Sequence, residues 1–105
     1  STLDRSSAAS DVYKRQHFRL ATVVTLLLSP VAILIGDTAV QRAIMLFALL
    51  LIPMLELINS AIEITVNRIS LEQNPLSKKA KDLASAAVSL SIANAIVVWS
   101  LTIFA

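Results

Sequence analysis

Two glutamates, Glu56 and Glu63, stand seven residues apart with Asn59 between them, and Asn67 follows four residues after Glu63. On a helix turning about 100° per residue the four fall within about 80° of one another, a stripe that Ser60 joins. Two carboxylates and an amide on one face can divide the work of a group transfer. One acid can take a proton as general base. The other can hold a divalent cation with the amide oxygen, and Mg²⁺ typically takes one or two carboxylates plus substrate phosphates. Further on, Lys81-Asp82 lies about one helical turn before Ser85, and a lysine there can neutralise phosphate. Plainer roles compete with these. Glu56 and Asn59 could hydrogen-bond helices together, Glu63 could be a solvated helix end, and Lys81 an interfacial anchor.

The elements that must carry these residues are membrane helices. The chain has 105 residues, 56% of them hydrophobic and only 15% charged, with a mean hydropathy of +0.76. A soluble domain usually carries about 25% charged residues, so too little polar surface exists to cover one here. The absence of cysteine excludes a disulfide scaffold, cysteine-ligated zinc and thiol catalysis. Three spans are expected, over about 20–36, 43–63 and 83–105. The first, Leu20 to Gly36, is free of charge and about 25 Å long. A signal peptide is the competing reading, but the run is long and no A-x-A site follows it. Gly36-Asp37-Thr38 marks a turn. In the second span the uncharged run, Ala43 to Leu55, covers only about 20 Å. A crossing needs about 20 residues, so the helix must continue to about Ile62. That places Glu56 inside the membrane and Glu63 near its edge. A carboxylate at membrane depth costs about 2.5–3.5 kcal/mol on insertion scales and is by default a functional-site hypothesis. Pro53 is expected to bend this helix.

The third span, Leu83 to Ala105, follows Asn74-Pro75, with Ser77 as the expected N-cap. Its first turns are crowded with small residues, Ala80, Ala84, Ser85, Ala86, Ala87 and Ser89, which allow close helix packing in lipid. Trp99 and Phe104 suit either the far interface or the core. Four basic residues between Arg68 and Asp82 put that loop and the amino terminus in the cytoplasm, and the carboxyl terminus outside. The net charge of +2 arises wholly within the first nineteen residues, because the charges beyond them cancel. Nucleic-acid binding therefore has no support. Residues 1–16 show no helical or strand period and are expected to be a disordered or non-native leader, leaving a membrane domain over 17–105. Three helices alone bury little, so self-association is expected.

The segment Glu56-Leu-Ile-Asn-Ser-Ala-Ile-Glu63 resembles the signature of the prokaryotic integral-membrane diacylglycerol kinases, E-x-[aliphatic]-N-[ST]-A-[aliphatic]-E. Arg68-Ile69 and Ala80-Lys-Asp-Leu-Ala-Ser-Ala-Ala-Val88 are similar to the stretches that follow it, and Phe18-Arg19 to an FR pair before the first span. The resemblance implies an all-α homotrimer of three-span subunits in the bacterial inner membrane, transferring the γ-phosphoryl group of MgATP to diacylglycerol. On matching positions, it implies Glu56 as base for the lipid hydroxyl and Glu63 as a Mg²⁺ ligand supported by Asn59. It implies nucleotide contacts for Glu63, Glu72, Lys81 and Asp82, and lipid contacts for Ser85, Arg42, Arg19 and Phe18. No G-x-x-x-x-G-K loop is present, so side chains at the membrane surface must hold the nucleotide. Two departures stand out. Asn67 replaces the family's usual Asp, and Arg15 lies roughly where a further metal-binding Glu would fall. The native amino terminus is accordingly expected to be missing or replaced, and this chain to be weakly active or inactive.

Other functions compete. A polyprenol such as undecaprenol is an alternative substrate, although Asn59-Ser60 leans toward diacylglycerol. A proton-coupled carrier would use one membrane carboxylate. Ring subunits of that kind pack through many glycines, however, and this chain has one. A non-catalytic membrane assembly protein is the third class.

Overall fold

The computed structural model describes the backbone of residues 2–69 and 75–105, and the side chains of 18–69 and 75–105. Among these residues lie three helices: α1 (Thr2–Ile35), α2 (Ala39–Ile69) and α3 (Pro75–Phe104). Each is long and apolar enough to cross a membrane, α1 through the stretch Phe18–Ile35. The molecule measures 54 × 24 × 17 Å. A helix of 34 residues is about 51 Å long, so the helices lie side by side along one direction. The fold is the expected all-α, three-span architecture. Every helix nevertheless extends beyond its uncharged run, because a helix need not end where the hydrocarbon does.

Local chemistry sets the ends. Gly36, Asp37 and Thr38 form the expected turn between α1 and α2. The Gln41 backbone N–H donates to Thr38 Oγ1 at 3.1 Å, and Gln41 Oε1 accepts from the Asp37 N–H at 2.8 Å. This is close to a capping box, in which side chains satisfy donors that no helical carbonyl can reach. Arg42 Nε donates to the Gly36 carbonyl at 3.0 Å. A Cβ at Gly36 would stand 2.5 Å from Arg42 Cγ, so the glycine is required by close approach. Pro75 opens α3, a place where its missing N–H costs nothing. Ser77 consequently lies in the first turn of α3, and the expectation that it caps the helix is corrected.

The backbone of residues 2–17 is helical and continuous with the first span, where the sequence shows no period and a disordered or non-native leader over 1–16 was expected. No proline or glycine interrupts the chain between Thr2 and Ser29, so nothing stops the helix from extending. Pro30 and Pro53 both lie within continuous helix. Thr22, Thr25 and Ser29 donate to the carbonyls four residues back, of Phe18, Ala21 and Thr25, at 2.7–2.9 Å. Hydroxyls in a membrane helix have no water to turn to, and these local carbonyls satisfy them.

Helix α2 is central, packing on α1 and more extensively on α3. The buried residues are mostly small: Thr25, Ala32, Ala48, Ala84, Val88, Ser91 and Ala95, with Met45 the largest side chain fully enclosed. In lipid, where apolar burial gains little, such residues let backbones approach and van der Waals contact hold them. Ala84 belongs to the expected small-residue run, whereas Ser85, Ala86 and Ser89 of that run are exposed. The seam continues instead through Ser91 and Ala95. Trp99 is half-buried and donates its indole N–H to the Met45 carbonyl at 3.2 Å. It joins α3 to α2 rather than serving only as an interfacial anchor.

Candidate functional site

Met45 and Leu49 are buried on α2. Continuing from them at alternating steps of three and four residues, the same face carries Ile52, Glu56, Asn59 and Glu63. The polar stripe is therefore the half of that face nearer the segment joining α2 to α3, on the side that packs on the neighbouring helices. Glu56, Asn59, Ser60 and Glu63 are all half-buried, while Asn67 at the end of the stripe is exposed. Asn59 Oδ1 is fully enclosed without a hydrogen-bond partner among the described residues, and Glu63 Oε2 is also enclosed. A buried amide oxygen left unpaired costs about 1–3 kcal/mol. A native chain keeps such an atom where something else is to meet it.

Depth follows from counting outward from the segment joining α2 to α3. Glu63 lies six residues before Ile69 and Lys81 six after Pro75, each about 9 Å along its helix. Asn59 and Ser85 are each ten residues in, about 15 Å, and Glu56 and Val88 thirteen, about 20 Å. The Trp99–Met45 hydrogen bond supports this pairing of levels, since both residues are twenty-four from the same helix ends. Across the other turn, Phe18 is seventeen residues before Ile35 and Glu56 seventeen after Ala39. Phe18 shares the α1 face of Thr25 and Ala32 and is half-buried, at the depth of Glu56.

The structure thus brings Glu63 and Lys81 to one level, Asn59 and Ser85 to the next, and Glu56, Val88 and Phe18 to the deepest. Lys81 is half-buried on the α2 side of α3. Asp82 and Ser85 are exposed, pointing away from the buried Ala84–Val88 line. Arg19 is exposed beside Phe18. Arg42 is not brought to this group: it lies fourteen residues from Glu56, about 21 Å along α2, at the other end of the span. Glu72 lies outside the described residues. Sequence reasoning missed Val88, whose apolar side chain shares the level of Glu56. Its signal was the spacing from Ala84, four residues earlier on the seam.

No group of three or more acidic or histidine side chains gathers among the described residues. The donors at hand are Glu63 and the enclosed Asn59 oxygen. That pair fits an ion that brings most of its ligands with it, as Mg²⁺ does when carried on phosphates.

Residues 9–103 match the model of the prokaryotic diacylglycerol kinase family. The chain belongs to that family. It is 45% identical over 83 residues to a diacylglycerol kinase of Pseudomonas aeruginosa, covering 79% of this chain and 68% of the relative. Diacylglycerol kinases of Haemophilus influenzae and Escherichia coli K12 are each 36% identical over 87 residues. These cover 83% of this chain, with 74% and 71% of the respective relatives. The family membership agrees with the resemblance carried by Glu56–Glu63 and Ala80–Val88.

Proposed function

We propose that this chain is a multi-pass membrane lipid kinase, transferring the γ-phosphoryl group of MgATP to the free hydroxyl of diacylglycerol to form phosphatidic acid and ADP. The observation that carries the reading is the graded stripe on α2, with Glu63 about 10 Å shallower than Glu56 along the helix. A polar nucleotide stays at the water edge while a lipid hydroxyl approaches from the membrane. A stripe that spans both depths serves both.

In this scheme Lys81, level with Glu63, neutralises charge on the phosphates, and Glu63 with Asn59 Oδ1 would hold the Mg²⁺. Bound there, the cation would offset charge on the β- and γ-phosphates. Glu56 accepts the proton of the lipid hydroxyl as its oxygen bonds to the γ-phosphorus and the bond to the ADP oxygen breaks. Val88 and Phe18 keep that level apolar and admit the glyceride. Phosphoryl transfer depends mainly on such positioning and charge neutralisation. Glu72 and Asp82 would border the nucleotide, and Ser85 and Arg19 the lipid. Arg42 would meet lipid only at the opposite surface. The cytoplasmic loop between α2 and α3 faces the nucleotide, in the bacterial inner membrane, and the working unit is a homotrimer.

The test is ATP-dependent phosphorylation in mixed micelles, with diacylglycerol and undecaprenol offered separately and together. Magnesium-dependent phosphatidic acid, formed weakly by this chain and more rapidly once a family amino terminus is restored, and lost in Glu56→Gln with assembly unchanged, is the expected result. Preferential phosphorylation of undecaprenol would overturn the substrate assignment, and proton flux without phosphoryl transfer would overturn the reaction.

A further inference from the structure

Pro53 divides α2 into a half that is held and a half that is not. Before it, Met45, Ala48 and Leu49 are buried, and the Met45 carbonyl also accepts the Trp99 indole N–H of α3 at 3.2 Å. Beyond it, from Met54 to Ile69, every residue of α2 is half-buried or exposed. Glu56, Asn59 and Glu63 all lie in this second half. At the division itself the Leu49 carbonyl loses its helical donor, because proline has no N–H, and the ring presses on that same carbonyl. Helices kink at such points. The pressure acts on the proline's side, so the helix opens there and bends away from it. Ile44, Ala48, Leu51 and Leu55, which share a groove with α3, stand about 140–180° around α2 from Pro53. Bending away from the proline therefore carries the stripe toward α3, where Lys81 stands at the level of Glu63.

We infer that Pro53 is a positioning residue, a hinge about which the half of α2 bearing Glu56, Asn59 and Glu63 swings toward α3 as one body. The inference rests on the proposed function only for the ligand that closes the hinge, MgATP. A ligand shifts such an equilibrium by binding one state better than the other. Glu63 and Lys81 reach the phosphates and their Mg²⁺ from two different helices, so drawing those helices together adds contacts that the open state lacks. Glu56 is three residues beyond the hinge, about 4.5 Å, and Glu63 ten, about 15 Å. One tilt thus moves Glu63 about three times as far as Glu56. The nucleotide end of the stripe travels while the base turns nearly in place.

The chain contains no cysteine, so paired nitroxide labels can be placed on introduced ones. Val66→Cys with Ser77→Cys joins the moving half of α2 to the start of α3, and Ile44→Cys with Leu101→Cys joins the held halves. The labelled full chain is diluted with unlabelled chain in detergent micelles, so that only distances within one chain are read. Val66 lies thirteen residues, about 20 Å, beyond Pro53. A tilt of about 20° should draw its label about 7 Å nearer that at Ser77 when Mg·AMPPCP is added. The Ile44–Leu101 distance should stay the same. Pro53→Ala restores the N–H and straightens the helix, so the shift should fall below half. Pro53→Gly keeps the backbone free and should retain most of it. Without nucleotide, the wild-type Val66–Ser77 distances should spread more widely than those of Pro53→Ala. Equal spreads overturn the hinge whether or not nucleotide binds. So does Mg·AMPPCP that binds without shortening the distance, a shift as large in Pro53→Ala, or an equal shift between Ile44 and Leu101. Binding is followed on the same samples by equilibrium dialysis. A wider wild-type spread with no nucleotide bound upholds the hinge and counts against the kinase reading alone.

Discussion

Glu56 and Glu63 share a helix face but stand at different depths, and their neighbours differ accordingly. Glu56→Gln removes a base while leaving packing intact, and kcat should fall about 10²- to 10⁴-fold with KM for MgATP little changed. Glu63→Gln should instead raise KM for MgATP, measured by varying nucleotide at saturating lipid. Asn59 makes a sharper case. Its enclosed oxygen has no hydrogen-bond partner among the described residues, so Asn59→Leu should raise thermal stability, relieving a cost of about 1–3 kcal/mol, while activity falls. A variant that lost both would show that Asn59 serves packing. The stripe itself was readable from spacing, because helical periodicity alone aligns residues 56, 59 and 63. That Asp82 and Ser85 turn outward while Lys81 faces α2 was not, since only the α3 seam decides which face is inward.

At the scale of the elements, stability rests on turns and seams rather than on large buried side chains. Thr38→Ala deletes the acceptor for the Gln41 N–H and should cost about 1 kcal/mol. Trp99→Phe keeps the ring but loses the indole donor to Met45, at about 0.5–1.5 kcal/mol. Ala84→Leu would wedge the seam beside Val88, at about 1–3 kcal/mol of overpacking. Denaturation midpoints in one detergent should order these losses, with specific activity of the folded fraction unchanged for Thr38→Ala and Trp99→Phe. The existence of all three spans was legible from uncharged runs. Their ends were less so: Pro75 takes the first position of α3 and displaces Ser77 from the cap. Composition marks where a helix can stop in lipid, whereas hydrogen-bond partners determine where it does.

For the whole molecule, the secondary structure should be independent of metal and nucleotide, because each helix satisfies its own backbone. Chelating Mg²⁺ should therefore abolish phosphorylation while the circular dichroism spectrum stays the same, and restoring Mg²⁺ should recover activity. A loss of helicity on chelation would mean that the ion is structural. The sequence by itself determined that this is a three-span membrane protein, because hydrophobic length and the position of charges follow directly from residue order. It also determined that an acid must lie within the second span, since Ala43–Leu55 is too short to cross. Tertiary structure decided which levels meet. Two antiparallel pairings put Phe18 and Val88 beside the depth of Glu56 and Lys81 beside that of Glu63, and send Arg42 to the opposite end. Those juxtapositions join residues far apart in the chain through close contact of small side chains. Periodicity within one helix carries no information about the neighbour it will touch.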